Sequence, residues 1–152
     1  MKDILVFKTA SDEIMDMLFS EIRKANKNKI FCIVPSDVYP VYKKKYPNIS
    51  IIDSKQKVFD YKSFDFEILG HRSYDMVYVP SSSPAFRHYE DIFFIIDKIR
   101  YKYIVEYDCY GNKRYYPYKN FFQKIMQYVV SLLLVTLFQQ IYKLKYVQRG
   151  EK

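Results

Sequence analysis

Glycine is scarce, with three in 152 residues. Dinucleotide-binding folds mark the turn after their first strand with GxGxxG, and a P-loop needs glycines around its lysine. Neither pattern occurs, so dinucleotide and nucleoside triphosphate binding lack their usual signatures. No GxSxG elbow is present for hydrolase chemistry. Cysteine and histidine are equally sparse. Cys32 and Cys109 have no metal-ligand spacing and suggest no disulfide framework; Cys32 lies in an apolar run suited to a small core residue. His71 and His88 stand 17 apart with no cysteine or carboxylate pattern around them, so neither zinc nor another cofactor is expected. Asp12, Asp37, Asp53 and Asp75 do not follow the order of a receiver-type acidic pocket. A long apolar leader is missing too: MKDILVFK enters a strand at once, which predicts a cytoplasmic globular part.

Acid is missing from the last third of the chain. Residues 1–97 hold 14 Lys/Arg and 14 Asp/Glu, whereas residues 98–152 hold 11 and 3, so the whole net charge of +8 sits there. Within that basic region, Ile125–Tyr142 (IMQYVVSLLLVTLFQQIY) runs for 18 residues without a charge, a proline or a glycine. As a helix it is about 27 Å long, near the thickness of a bilayer's hydrocarbon layer. Leu132 to Phe138 is apolar nearly all round, so such a helix must be buried in lipid, in a partner chain or in the protein's own core. Gln127, Gln139 and Gln140 shorten the apolar part, and the basic tail resists crossing a membrane. An interfacial or re-entrant helix, or a marginal span, is therefore expected, with Tyr128, Leu132, Leu133, Leu134, Leu137 and Phe138 facing lipid. The alternative is an ordinary C-terminal helix packed on a sheet. Basic flanks suit anionic head groups. Nucleic acid is the less favoured partner, because no Gly-rich RNA motif, zinc knuckle or helix-turn-helix pattern accompanies the charge.

The remainder reads as an α/β domain over residues 1–116, doubly wound, with a mainly parallel sheet of about five strands. Asp3–Lys8 is an apolar run suited to a central strand. A helix follows to about Lys27, capped by Ser11 or Asp12, with Ile14, Met17, Leu18, Ile22 and Ala25 inward. Strands are expected at Lys29–Val34, Ile49–Ile52, Tyr74–Val79 and Tyr103–Tyr107, and helices at Val38–Tyr46 and Tyr89–Tyr101. Residues 54–73 fit neither period cleanly and read as a loop with a weak helix. Asp108–Asn112 is a turn that can open a hairpin back through Lys113–Tyr116.

In an open parallel sheet, ligands bind outside the carboxyl ends of the strands. Thr9, Ser11, Ser81, Ser82 and Ser83 fall there and can hydrogen-bond sugar hydroxyls or phosphate, with helix N-termini behind them. Asp12 is the candidate catalytic carboxylate, positioned to take a proton from an acceptor hydroxyl. It also suits an N-cap or first-turn acid that complements the helix dipole. Ser81–Ser83 suit a plain turn as well.

DILVFKTASDEI, then KIFCIVPSDVYPVYKKKYPNI, then SYDMVYVPSSSP resemble the N-terminal half of GT-B glycosyltransferases, in particular the heptosyltransferase type (glycosyltransferase family 9). The resemblance covers about residues 2–107. It implies a Rossmann-like acceptor-side domain with the family's catalytic aspartate at Asp12; the glycine that precedes that aspartate in the family is Ser11 here. A GT-B enzyme closes two such domains, and this length leaves no room for the second. The resemblance thus implies a half-domain, inactive or nearly so alone, that joins a second glycosyltransferase half at the inner face of a bacterial cell membrane. Its role there would be surface polysaccharide or glycolipid assembly on a lipid-linked acceptor. The competing reading is a non-catalytic Rossmann-like interaction module, tethered to a membrane or dimerising through its last helix.

Overall fold

Asp3–Phe7 forms β1, and four of its five side chains are buried, as its apolar run requires. The computed structural model describes residues 3–25, 28–83, 89–117, 130 and 134–139. The chain divides into two units, Met1–Tyr118 and Lys119–Lys152.

The first unit is α/β. After β1 come α1 (Asp12–Ala25), β2 (Lys29–Val34), α2 (Tyr39–Lys45), β3 (Ser50–Asp53), β4 (Ser73–Pro80), α3 (Glu90–Ile96), β5 (Arg100–Tyr107) and β6 (Lys113–Pro117). The strands form one sheet in the order β3-β2-β1-β4-β5-β6, parallel throughout except for β6. The sheet thus has six strands where about five are expected. The sixth is the hairpin return, which pairs Tyr107 with Lys113 and Ile104 with Tyr116. Its turn is set by Asp108, whose carboxylate accepts from the backbone N–H of Tyr110 and of Asn112, each at 2.9 Å. These donors, with the Asn112 amide first among them, hold the Asp108 carboxyl below its ordinary range. Gly111 supplies the φ of +81° that closes the turn.

Alternation along the strands feeds two cores. On one face Ile4, Val6, Cys32, Val34 and Val105 pack with Met15, Leu18 and Phe19 of α1 and with Tyr42 and Tyr46. On the other, Leu5, Phe7, Ile33, Val77 and Val79 pack with Ile92, Ile95 and Ile96 of α3 and with Phe59, Phe64 and Leu69. Cys32 is a buried free thiol, and burial pushes its pKa well up.

Two expectations need correction. In α1 the buried stripe is Ile14, Met15, Leu18, Phe19 and Ile22; Met17 is 48% exposed and Ala25 is exposed too. At 100° per residue, Met17 falls on the flank opposite that stripe. The helix expected to run to Tyr101 ends at Ile96, and Ile99 is buried in the turn beyond it. Arg100 and Tyr101 pair instead with Ser73 and Tyr74, because a buried ladder across β4 outweighs a continued helical period. Residues 54–73 hold two short 3-10 turns, Tyr61–Ser63 and Phe66–Leu69. Asp60 and Asp65 cap them by accepting from the N–H of Lys62 and of Glu67, so the legible signal was the side-chain cap and not a period.

In the second unit, Val130 and residues 134–139 are helical. Leu134, Leu137 and Phe138 are exposed, Phe138 by 70%. Tyr128, Leu132 and Leu133 lie outside the described residues. Among the described residues, no helix is long and apolar enough to cross a membrane.

Candidate site at the carboxyl edge of the sheet

The chain leaves β1 through Lys8, Thr9, Ala10 and Ser11 and enters α1 at Asp12. The carbonyl of Ser11 accepts from the Met15 N–H, which starts the helix. Thr9 and the loop after β4 are drawn together. The Thr9 hydroxyl donates to the Pro80 carbonyl at 2.5 Å, and the Ser11 N–H donates to Ser82 Oγ at 2.8 Å. The Tyr89 hydroxyl lies 3.2 Å from the Thr9 carbonyl and 3.4 Å from Ser81 Oγ. Ser81 is fully buried; its N–H donates to the Tyr107 carbonyl and its Oγ accepts from the Ser83 N–H. Ser81 therefore fastens the ends of β4 and β5, while Ser11, Ser82 and Ser83 stay exposed.

Asp12 faces away from this serine cluster, toward α2. Tyr42 donates its hydroxyl to Asp12 Oδ1 at 2.5 Å, and Lys8 Nζ lies 3.2 Å from the same oxygen. The Tyr42 hydrogen bond, and then Lys8, outweigh partial burial and hold the Asp12 carboxyl below its ordinary range. In return, burial and then the Asp12 carboxylate push the Tyr42 hydroxyl far up. One turn further on, Tyr46 donates to Asp16 Oδ1 at 2.5 Å and Lys45 pairs with Asp16 Oδ2 at 2.8 Å. Burial, followed by Asp16, pushes the Tyr46 hydroxyl up to about 12. Acids at i and i+4 of α1 thus meet Tyr42 of α2 and Tyr46, the residue just past its end. Lys8 and Tyr42 are the site residues that sequence reasoning missed. The signal for Tyr42 was this matched spacing of Asp12/Asp16 with Tyr42/Tyr46; for Lys8 it was its place four residues before Asp12. Lys45, on the exposed side of α2, is the cation of the second pair.

Tyr42→Phe tests this arrangement. A carboxyl whose pKa is lowered on folding contributes stability that is present above the unfolded value of about 3.9 and fades as pH falls through the folded value. Removing the Tyr42 hydroxyl is expected to raise the Asp12 pKa toward the ordinary range, read by NMR titration of its carboxyl carbon. It should also cost about 1 kcal/mol at neutral pH, a value kept small because Asp12 is half exposed. That difference should shrink below about pH 4.

A cavity of about 410 Å³ opens at the same edge, lined among others by Lys8, Thr9, Lys57, Phe59, Tyr89 and Asp91. Its size falls within the roughly 300–1,000 Å³ of small-molecule pockets. Thr9 is the one sequence-predicted site residue that lines it; Lys8 both lines it and contacts Asp12. Among the described residues, no group of three or more His, Cys, Asp or Glu side chains could hold a metal ion. Comparison with protein-family models, with curated proteins and with solved structures finds no match to this chain.

Proposed function

We propose that this chain is a GT-B-like half-domain that binds a sugar acceptor at the carboxyl edge of its sheet and depends on a partner chain for the sugar donor. The observation that carries the reading is the position of Asp12. It stands half exposed at the exit of a central strand and at the start of a 14-residue helix, and its partner Lys8 also lines the carboxyl-edge cavity. Tyr42 and Lys8 both engage Oδ1. Oδ2 takes no hydrogen bond among the described residues, and it is the oxygen that would accept the acceptor's proton. In this reading the sheet is doubly wound, with α1 and α2 over one face and α3 over the other. The exposed Leu134, Leu137 and Phe138, flanked by basic residues, support docking on the inner face of a membrane where lipid-linked acceptors lie.

One observation favours a different reading. The Tyr42 and Lys8 contacts make Asp12 a weaker base and tie α1 to α2, which suits a fold clamp in a non-catalytic interaction module. Saturation-transfer NMR of the purified chain against a panel of free hexoses, heptoses and N-acetylhexosamines separates the two. The glycosyltransferase reading expects saturation on at least one sugar and its loss in Asp12→Ala. Absence of any sugar signal, or a signal indifferent to Asp12→Ala, supports the module. Efficient turnover of a sugar nucleotide by the isolated chain would end the half-domain idea.

A further inference from the structure

At the opposite, amino edge of the sheet, two loops meet. Residues 70–72 lead into β4 and residues 98–99 lead into β5, with Ser73 registered beside Arg100. Between them lies a cavity of about 210 Å³, lined by Gly70, His71, Arg72, Lys98, Ile99 and Arg100. Four of these side chains are basic and none is acidic. Among the described residues, the ion pairs are made by Lys8, Lys45, Lys55, Lys102 and Lys113, so none of the four basic groups has a carboxylate partner there.

Exposed cations usually point apart into solvent, where water screens them. Here they converge on one concave volume, which raises the local positive potential. Arg72 is also held in place. Its guanidinium lies 4.5 Å from the centre of the Phe31 ring. A stacked guanidinium keeps its planar donor fork oriented and loses little freedom on binding an anion. Lys29 sits over the same ring at 5.0 Å and adds charge beside it. Gly70 has φ +60°, a backbone conformation that side chains rarely adopt, and it turns the chain so that His71 and Arg72 line the cavity. The volume equals about seven waters at roughly 30 Å³ each, which suits one or two phosphate groups and not a whole nucleotide.

We infer that the amino-edge cavity is an anion site for a phosphate or diphosphate group, gripped by Arg72, Lys98 and Arg100 with His71 at its rim. The same chemistry is offered by free phosphate or diphosphate and by the head group of an anionic phospholipid. This assignment is independent of the carboxyl-edge reading and stands if that reading fails.

Isothermal titration of the full chain with inorganic phosphate and pyrophosphate at low salt tests the soluble source. Flotation with vesicles of equimolar phosphatidylglycerol and phosphatidylcholine tests the lipid source. Each is run on wild type, on a Lys98→Gln/Arg100→Gln variant, and on Lys24→Gln/Lys44→Gln, which removes the same charge from exposed helix positions. The site predicts binding of pyrophosphate or of the anionic vesicles, weakened at least about tenfold in the first variant and within about twofold of wild type in the second. Loss confined to pyrophosphate assigns a soluble ligand, and loss confined to vesicles assigns a head group. No binding of either probe, or equal weakening in both variants, overturns the site.

Discussion

Phe7→Ala is expected to destabilise the first unit by about 3–5 kcal/mol, the usual cost of deleting a buried aromatic ring. Phe7 is completely buried at the end of β1 and meets Phe59 edge-to-face, with ring centres 5.5 Å apart. Such aromatic pairs add to simple area burial. For a unit of this size the loss corresponds to a fall of roughly 12–20 °C in Tm. The urea midpoint should drop while the slope is unchanged. Met17→Ala is the internal control, expected within about 0.5 kcal/mol of wild type because its side chain is half exposed. The consequence reaches the candidate site, since Phe59 lines the carboxyl-edge cavity and the next residues, Lys8 and Thr9, form its wall. A smaller side chain at position 7 should therefore loosen that cavity as well as the core.

The parallel core was plain in the sequence because its strands are unbroken apolar runs punctuated by turns. DILVF, KIFCIV and SYDMVYVP needed no periodicity to be seen, and β2 occupies the range expected of it. What resisted reading was decided by tertiary partners. Tyr101 has helical spacing with α3, yet it pairs with Tyr74; Phe59, Phe64 and Leu69 follow no period because capped 3-10 turns, not a helix, carry them into the second core. At the site, Thr9, Ser11 and Ser82 are drawn together as their position at the strand ends implied. Ser81 is taken out of reach by burial, and the partners of Asp12 come from another helix, 30 residues away in the case of Tyr42. Composition gives no sign of such a contact. The pairing of acids and tyrosines at equal spacing does.

Asp12→Asn is the substitution with the largest expected effect on chemistry. Asparagine keeps the shape of the side chain and an oxygen to accept from Tyr42, and it gives up the charge beside Lys8. A half-exposed pair of this kind contributes about 0–1 kcal/mol, so the variant should fold and accumulate as wild type does. An amide, however, cannot take a proton from an acceptor hydroxyl, and losing a positioned general base lowers rates by about 10²–10⁴-fold. A large loss of transfer without loss of protein would therefore report on chemistry and not on stability.

The decisive measurement is transfer of labelled sugar to the endogenous acceptor in membranes from cells that carry either wild type or Asp12→Asn as their only copy, with protein levels matched. Acceptor-side catalysis by Asp12 predicts that the variant membranes fall behind by at least about a hundredfold. Equal transfer in the two preparations would contradict it and leave Asp12 as the clamp between α1 and α2.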